Sequence, residues 1–162
     1  MIALGGNSIS PKSSSGSFAE QFAQARKTMD YLSAFIARDY NICITHGNGP
    51  QVGNELLRMD LTNDKVPPLP LGVCVANTQG QIGYMLQQTL QNKLREIDVD
   101  REVVTLVTQV LVDENEPSIT NPTKYIGPRY SKSDIDEFAS KLGWKIKEQE
   151  PGLWRRVVPS PM

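Results

Sequence analysis

The chain has 162 residues, with 17 Lys and Arg against 18 Asp and Glu, 39% hydrophobic and 22% charged; that is the balance of a globular domain with one sizeable core. A formal net charge of −1 gives no basic field for nucleic acid, and the longest apolar runs fall far short of the roughly 20 residues that span a membrane. His46 is the sole histidine, which excludes a histidine-rich zinc site.

In chain order, Ile2–Leu4 reads as a short buried strand that ends in Gly5-Gly6. Those glycines and Asn7 interrupt the apolar start at once, so nothing there reads as a signal peptide and a cytoplasmic location is expected. Pro11 to Gly16, with three serines in a row, is a loop. Phe18, Phe22, Ala25, Met29, Leu32 and Ile36 then recur at spacings of three and four, which predicts a helix over about 17–38. A second buried strand is expected at Ile42–Thr45, broken by His46-Gly-Asn-Gly-Pro50, with a short helix over 52–59 behind it. Residues 60–70 hold three prolines and read as a loop. Ile82, Leu86, Leu90 and Leu94 mark a long helix over 72–96, and the β-branched run Val103–Val112 predicts the clearest strand of all. Cys43 and Cys74 lack CxxC spacing and read as buried free thiols.

Strands alternating with helices predict an α/β fold, a three-layer αβα sandwich whose mostly parallel sheet is covered on both faces. From 114 the pattern changes. A short helix over 131–142, capped by Ser131 or Ser133, precedes a hairpin of Trp144–Lys147 with Leu153–Val158. The division expected is 1–113 as an N-terminal αβα part and 114–158 as a small protruding α+β lobe. The sheet is expected to be incomplete, with 159–162 opening a connection to a further domain.

Chemistry is best sought at the two glycine-rich bends, Leu4-Gly-Gly-Asn7 and His46-Gly-Asn-Gly-Pro-Gln51, each at the C-terminal end of a predicted parallel strand. Ligands of open α/β sheets bind beyond those ends. Glycine lets a backbone approach a ligand, and successive N–H groups in such bends form an anion cradle to which Asn7 and Asn48 add side-chain donors. The bland alternative is a pair of tight turns. No GxxxxGK[ST] or GxGxxG stretch occurs. Lys124, inside Asn121-Pro-Thr-Lys-Tyr-Ile-Gly-Pro128, is either a solvated surface lysine or a cation held on a proline-stiffened turn for a phosphoryl group. Arg155 and Arg156, in a strand, face opposite ways, so at most one points into a site. The glycines of Gln79-Gly-Gln-Ile-Gly-Tyr84 share a helix face and favour close packing, as in a dimer contact.

Together these stretches resemble carbamate kinase, of the amino-acid kinase superfamily. The resemblance rests on Ala3-Leu-Gly-Gly-Asn7, Thr45-His-Gly-Asn-Gly-Pro-Gln-Val-Gly53, Thr78-Gln-Gly-Gln-Ile-Gly-Tyr84, Leu106-Val-Thr-Gln109, Asn121-Pro-Thr-Lys124 with Ile126-Gly-Pro128, and Trp154-Arg-Arg-Val-Val-Pro-Ser-Pro161. Acetylglutamate kinases carry Lys immediately before Leu-Gly-Gly, where this chain has Ala3.

The resemblance implies phosphoryl transfer between ATP and carbamate, with carbamoyl phosphate and ADP as the other pair. It makes Lys124 the catalytic cation, with Gly5, Gly6, Asn7, Gly47, Asn48, Gly49 and Arg155 around the carbamate and the transferring group. It implies Mg²⁺ carried with ATP or ADP, a homodimer, and no metal site in this chain. Family members run to about twice this length, so the nucleotide domain is expected beyond the chain. This part alone is then inactive, or acts as an anion-binding module, or is a remnant that pairs with a full-length subunit. Two details depart from the pattern: Tyr125 stands where proline is usual, and Glu150-Pro-Gly-Leu153 replaces a glycine-arginine-rich approach to Trp154.

Overall fold

A computed structural model describes residues 1–11 and 15–161, so the middle of the loop expected at Pro11–Gly16 and the final residue lie outside the described residues. The fold is α/β, with a parallel pair of strands and a separate antiparallel sheet of three. The chain divides into two compact units, the first made of residues 1–48 and 76–107, the second of 49–75 and 108 onward.

In the first unit β1 (Ile2–Leu4) pairs in parallel with β2 (Ile44–His46), Leu4 opposite His46. Helix α1 (Phe18–Ile36) starts where expected because Ser17 caps it: its hydroxyl accepts from Glu20 N–H while the Glu20 carboxylate accepts from Ser17 N–H. Of the face predicted from its spacing, Ala25, Met29, Leu32 and Ile36 are buried against Ile82, Met85, Leu86, Leu90 and Leu94 of the long helix α3 (Leu71–Glu96), Phe22 is partly buried and Phe18, in the first turn, is exposed. Ile2, Ile42 and Ile44 lie on the same cluster. Their neighbours Ala3, Cys43 and Thr45 point the other way and are exposed, as strand alternation requires. The expectation of a buried Cys43 is thereby corrected: its side chain is turned away from this cluster and is exposed.

The strand expected at Val103–Val112 is also corrected. No strand is assigned there, because β-branched residues favour an extended backbone but a neighbouring strand is what makes it a ladder. Its first residues are held by helix side chains instead: Val103 N–H donates to Gln91 Oε1 at 3.0 Å and the Thr105 hydroxyl to Gln87 Oε1 at 2.9 Å. Further on, Leu106 is 76% exposed, Val110 77% and Leu111 98%. An apolar extended run of this kind is a template for association. The 162-residue chain is therefore expected to self-associate at micromolar concentration in light scattering, and Leu106→Lys with Leu111→Lys to shift it toward monomer; a monodisperse wild-type monomer contradicts this.

In the second unit α2 (Gly49–Thr62) is longer at both ends than the predicted helix. Gly49-Pro50 belongs to its first turn, where proline loses no hydrogen bond because those N–H groups have no helical acceptor. The antiparallel sheet has the order β3 (Lys124–Tyr130), β5 (Leu153–Val158), β4 (Ile146–Glu150). The β4–β5 hairpin forms where expected, although its first strand is Ile146–Glu150 and not 144–147, and α5 (Lys132–Leu142) matches expectation, with Ser131 as its cap and Gly143 closing it at φ 65°; α4 is a single turn, Pro117–Thr120. β3 itself was unexpected, since Pro122, Gly127 and Pro128 argue for a turn. It is an edge strand with a register shift between Ile126 and Tyr130, and edges and bulges are where a sheet accepts proline. α2 packs on β3 around Val52, Leu56, Cys74, Ile126 and Val158, so the unit that holds the expected lobe takes in α2 as well.

Candidate functional site

The two bends predicted to carry chemistry leave adjacent strands, since β1 and β2 pair up to Leu4 and His46. After Leu4 the chain makes a single 3-10 turn, Gly6–Ser8. Ser8 N–H donates to Gly5 O at 3.0 Å, Ser10 N–H to Gly6 O at 2.7 Å, and the Thr28 hydroxyl of α1 to Ser8 O at 2.9 Å. With Ile9 buried beneath it, this bend is held before any ligand arrives. Asn7 is exposed at its top. After His46 the Asn48 side chain donates to the Thr78 hydroxyl of α3 at 2.9 Å, and Thr78 is only 1% exposed. The Asn48 amide therefore anchors the second bend to the helix behind it. Thr28 and Thr78 were not singled out from the sequence; a threonine on the buried face of a helix gives no signal until its acceptor is known.

Why glycine stands at these positions is the informative point. None of Gly5, Gly6, Gly47 and Gly49 has a positive φ, and a Cβ added to any of them meets nothing within 4 Å. Gly5 is extended at φ −71° and ψ 167°. Neither backbone conformation nor internal packing asks for glycine there, so the space in front of the bends is left open. Gly53 and Gly83 are the opposite case. A Cβ at Gly53 would overlap the Gly127 backbone, and one at Gly83 the Thr105 side chain. Gly83 thus serves packing within this chain, and Gly80 of the same motif faces open space.

Lys124 opens β3, opposite Val158, and is exposed; among the described residues its ammonium has no hydrogen bond or ion pair. It is the first residue of a strand rather than part of the stiff turn expected. Arg155 and Arg156 do face opposite ways. Arg155 donates to Gly127 O at 2.6 Å and to Gln149 Oε1 at 3.2 Å, and its Nε is buried without a partner among the described residues. Burial first, then the Arg129 charge, lower its pKa from the ordinary guanidinium value. Arg156 bonds Asp60 at 2.6 Å and lies over the Trp144 ring. Strand pairing puts Lys124 on the side of Val158 and Ile126, and Arg155 on the side of Val157 and Tyr125, so the structure does not bring Lys124 and Arg155 to one face of their sheet. Among the described residues no three His, Cys, Asp or Glu side chains come together as a metal site, and no helix is long and apolar enough to cross a membrane.

No protein-family model matches the sequence. The chain is 45% identical over 163 residues to a carbamate kinase of Pyrococcus horikoshii and 42% identical over 165 residues to a carbamate kinase 2 of Staphylococcus epidermidis. Each match takes in 99% of this chain and 52% or 51% of the relative. Among solved structures, a carbamate kinase from Giardia lamblia bound to citric acid superposes with a TM-score of 0.91 at 36% identity, over 99% of this chain and 52% of that one. The same enzyme bound to AMP-PNP gives 0.80. The chain spans about half the length of the curated relatives it matches.

Proposed function

We propose that this chain, which is 45% and 42% identical to carbamate kinases over 99% of its length, is the substrate-side part of such a kinase, binding carbamate and carbamoyl phosphate at the ends of β1 and β2. The observation that carries the reading is the set of glycines Gly5, Gly6, Gly47 and Gly49, which neither φ nor packing explains. A tetrahedral anion in that open space would be met by backbone N–H groups, whose hydrogen bonds to charge are about twice as strong as neutral ones.

In the proposed reaction a carbamate oxygen attacks the γ-phosphorus of ATP and the bond to ADP breaks. The protein positions the two partners and offsets charge rather than bonding to either. The bends, with Asn7 at the rim of the first and Asn48 bracing the second, hold the carbamate and the transferred group. Lys124 is the cation for the charge developing on that group, its ammonium being uncommitted to any other described side chain. Arg155 serves as a ligand contact on this reading only by giving up Gly127 O and Gln149, which makes Lys124 the stronger choice. Support for ATP comes from the kinase relatives and the AMP-PNP-bound neighbour. On the same reading Mg²⁺ would be carried with the nucleotide, offsetting charge on its phosphates. A homodimer and a cytoplasmic location belong to the same reading.

Calorimetric titration of the chain with carbamoyl phosphate tests it. Wild type is expected to take up the ligand, and Gly47→Ala to weaken uptake about tenfold or more, the worth of one or two charge-assisted contacts. Because the added methyl meets nothing, the same variant is expected to melt at or above the wild-type temperature, since alanine narrows the unfolded ensemble. No uptake by wild type, or equal uptake by Gly47→Ala, overturns the proposal.

A further inference from the structure

Asp60 lies near the C-terminal end of α2, its side chain 21% exposed. It accepts two hydrogen bonds from distant parts of the chain, from Trp144 Nε1 at 2.8 Å and from an Arg156 terminal nitrogen at 2.6 Å. The Arg156 guanidinium also lies 4.7 Å from the centre of the Trp144 ring, and that ring stacks on Phe138 of α5. One carboxylate therefore ties α2 to the segment after α5 and to β5. Arg156 stands opposite Ile126 on β3 and Ile146 on β4, so fixing it fixes the middle of the sheet.

Lys124 depends on that sheet for its position. It begins an edge strand, its side chain is exposed, and no described side chain orients it. The regular part of β3 is short: Lys124, Tyr125 and Ile126 stand opposite Val158, Val157 and Arg156, after which the register shifts. Arg156 is the inner end of that stretch. Earlier on α2, Gly53 meets the Gly127 backbone just past Ile126, so α2 grips β3 directly there and β5 through Asp60. An ion pair this sheltered stabilises little compared with apolar residues of the same volume, yet it fixes geometry through directional bonds.

We infer that Asp60 is a positioning residue for Lys124, acting through Arg156 and the β5–β3 ladder; the inference rests on the role given to Lys124 above. A double-mutant cycle on the 162-residue chain, read by carbamoyl phosphate titration, separates this from a merely structural role. Asp60→Asn keeps the shape and an acceptor for Trp144 but removes the charge facing Arg156. It is expected to weaken binding about fivefold when Lys124 is present and to have no effect in a Lys124→Ala background. Arg156→Lys, carried through the same cycle, gives the same pattern and covers the case in which Asp60→Asn does not fold. Equal losses in both backgrounds, or no loss in either, overturn the inference. If Lys124→Ala weakens binding and Asp60→Asn does not, the positioning role alone falls. Should Lys124→Ala by itself leave the titration unchanged, the role of Lys124 falls and this inference with it.

Discussion

Replacing Gly53 with alanine is expected to lower the denaturation midpoint of the second unit more than any other single methyl added to this chain. The new Cβ would lie closer than 3.0 Å to the Gly127 N and Cα. A side chain would swing away, but both atoms here are backbone, one in a helix and one in a strand. Ile126, next to the contact, is 1% exposed and packs with Val52, Leu56, Cys74 and Val158, so separating α2 from β3 opens that cluster too. Overpacking where the surroundings cannot yield costs about 3 kcal/mol or more, which corresponds to a drop in melting temperature on the order of 10 °C. Trp144 and Trp154 both lie in this unit, so tryptophan fluorescence in a urea titration reads it directly. Gly80→Ala is the internal control: its Cβ meets nothing, and alanine within a helix is favoured by about 1 kcal/mol. Equal midpoints for wild type and Gly53→Ala contradict the close approach of α2 and β3.

Removing the Lys124 ammonium is expected to have the opposite profile, with rate lost and stability kept. An exposed lysine without a partner contributes within about 0.5 kcal/mol to folding, so Lys124→Ala is expected to melt with wild type. On the proposed reaction the same change removes a cation from charge that develops in the transition state. One such group is worth about 10²–10³ in rate. The assay is exchange between ATP and carbamoyl phosphate by the polypeptide continued to the length of its relatives. Lys124→Arg keeps the charge but changes its shape and reach, and is expected to fall between the two. Exchange unchanged in Lys124→Ala would return this residue to the surface lysine that its sequence context also allows.

The glycines show how far the residues alone could be read. From the sequence, Gly5, Gly6, Gly47, Gly49, Gly53, Gly80 and Gly83 all mark places where a side chain is unwelcome or unneeded, and the bends among them stood out by their place at predicted strand ends. Coordinates separate them into those facing open space and those pressed against Gly127 or Thr105. Asp60 is a similar case. It fell in a stretch read as a proline-containing loop, and nothing around it signals that Trp144 and Arg156, more than eighty positions away, will converge on its carboxylate. The two cysteines sit in similarly apolar segments, yet Cys74 is buried and Cys43 exposed.

What the sequence by itself determined is whatever a few neighbouring residues decide: the helices, whose hydrogen bonds and apolar spacing close within a turn or two; their caps at Ser17 and Ser131; the β4–β5 hairpin across Pro151-Gly152; and the ordered set of segments that marks the carbamate kinase resemblance. Only the tertiary structure decided which extended segments became strands, because a ladder needs a partner that local sequence does not name. Lys124–Tyr130, with two glycine or proline positions inside it, found β5 and became β3. Val103–Val112, with the stronger β propensity, has no strand beside it among the described residues and stays unpaired.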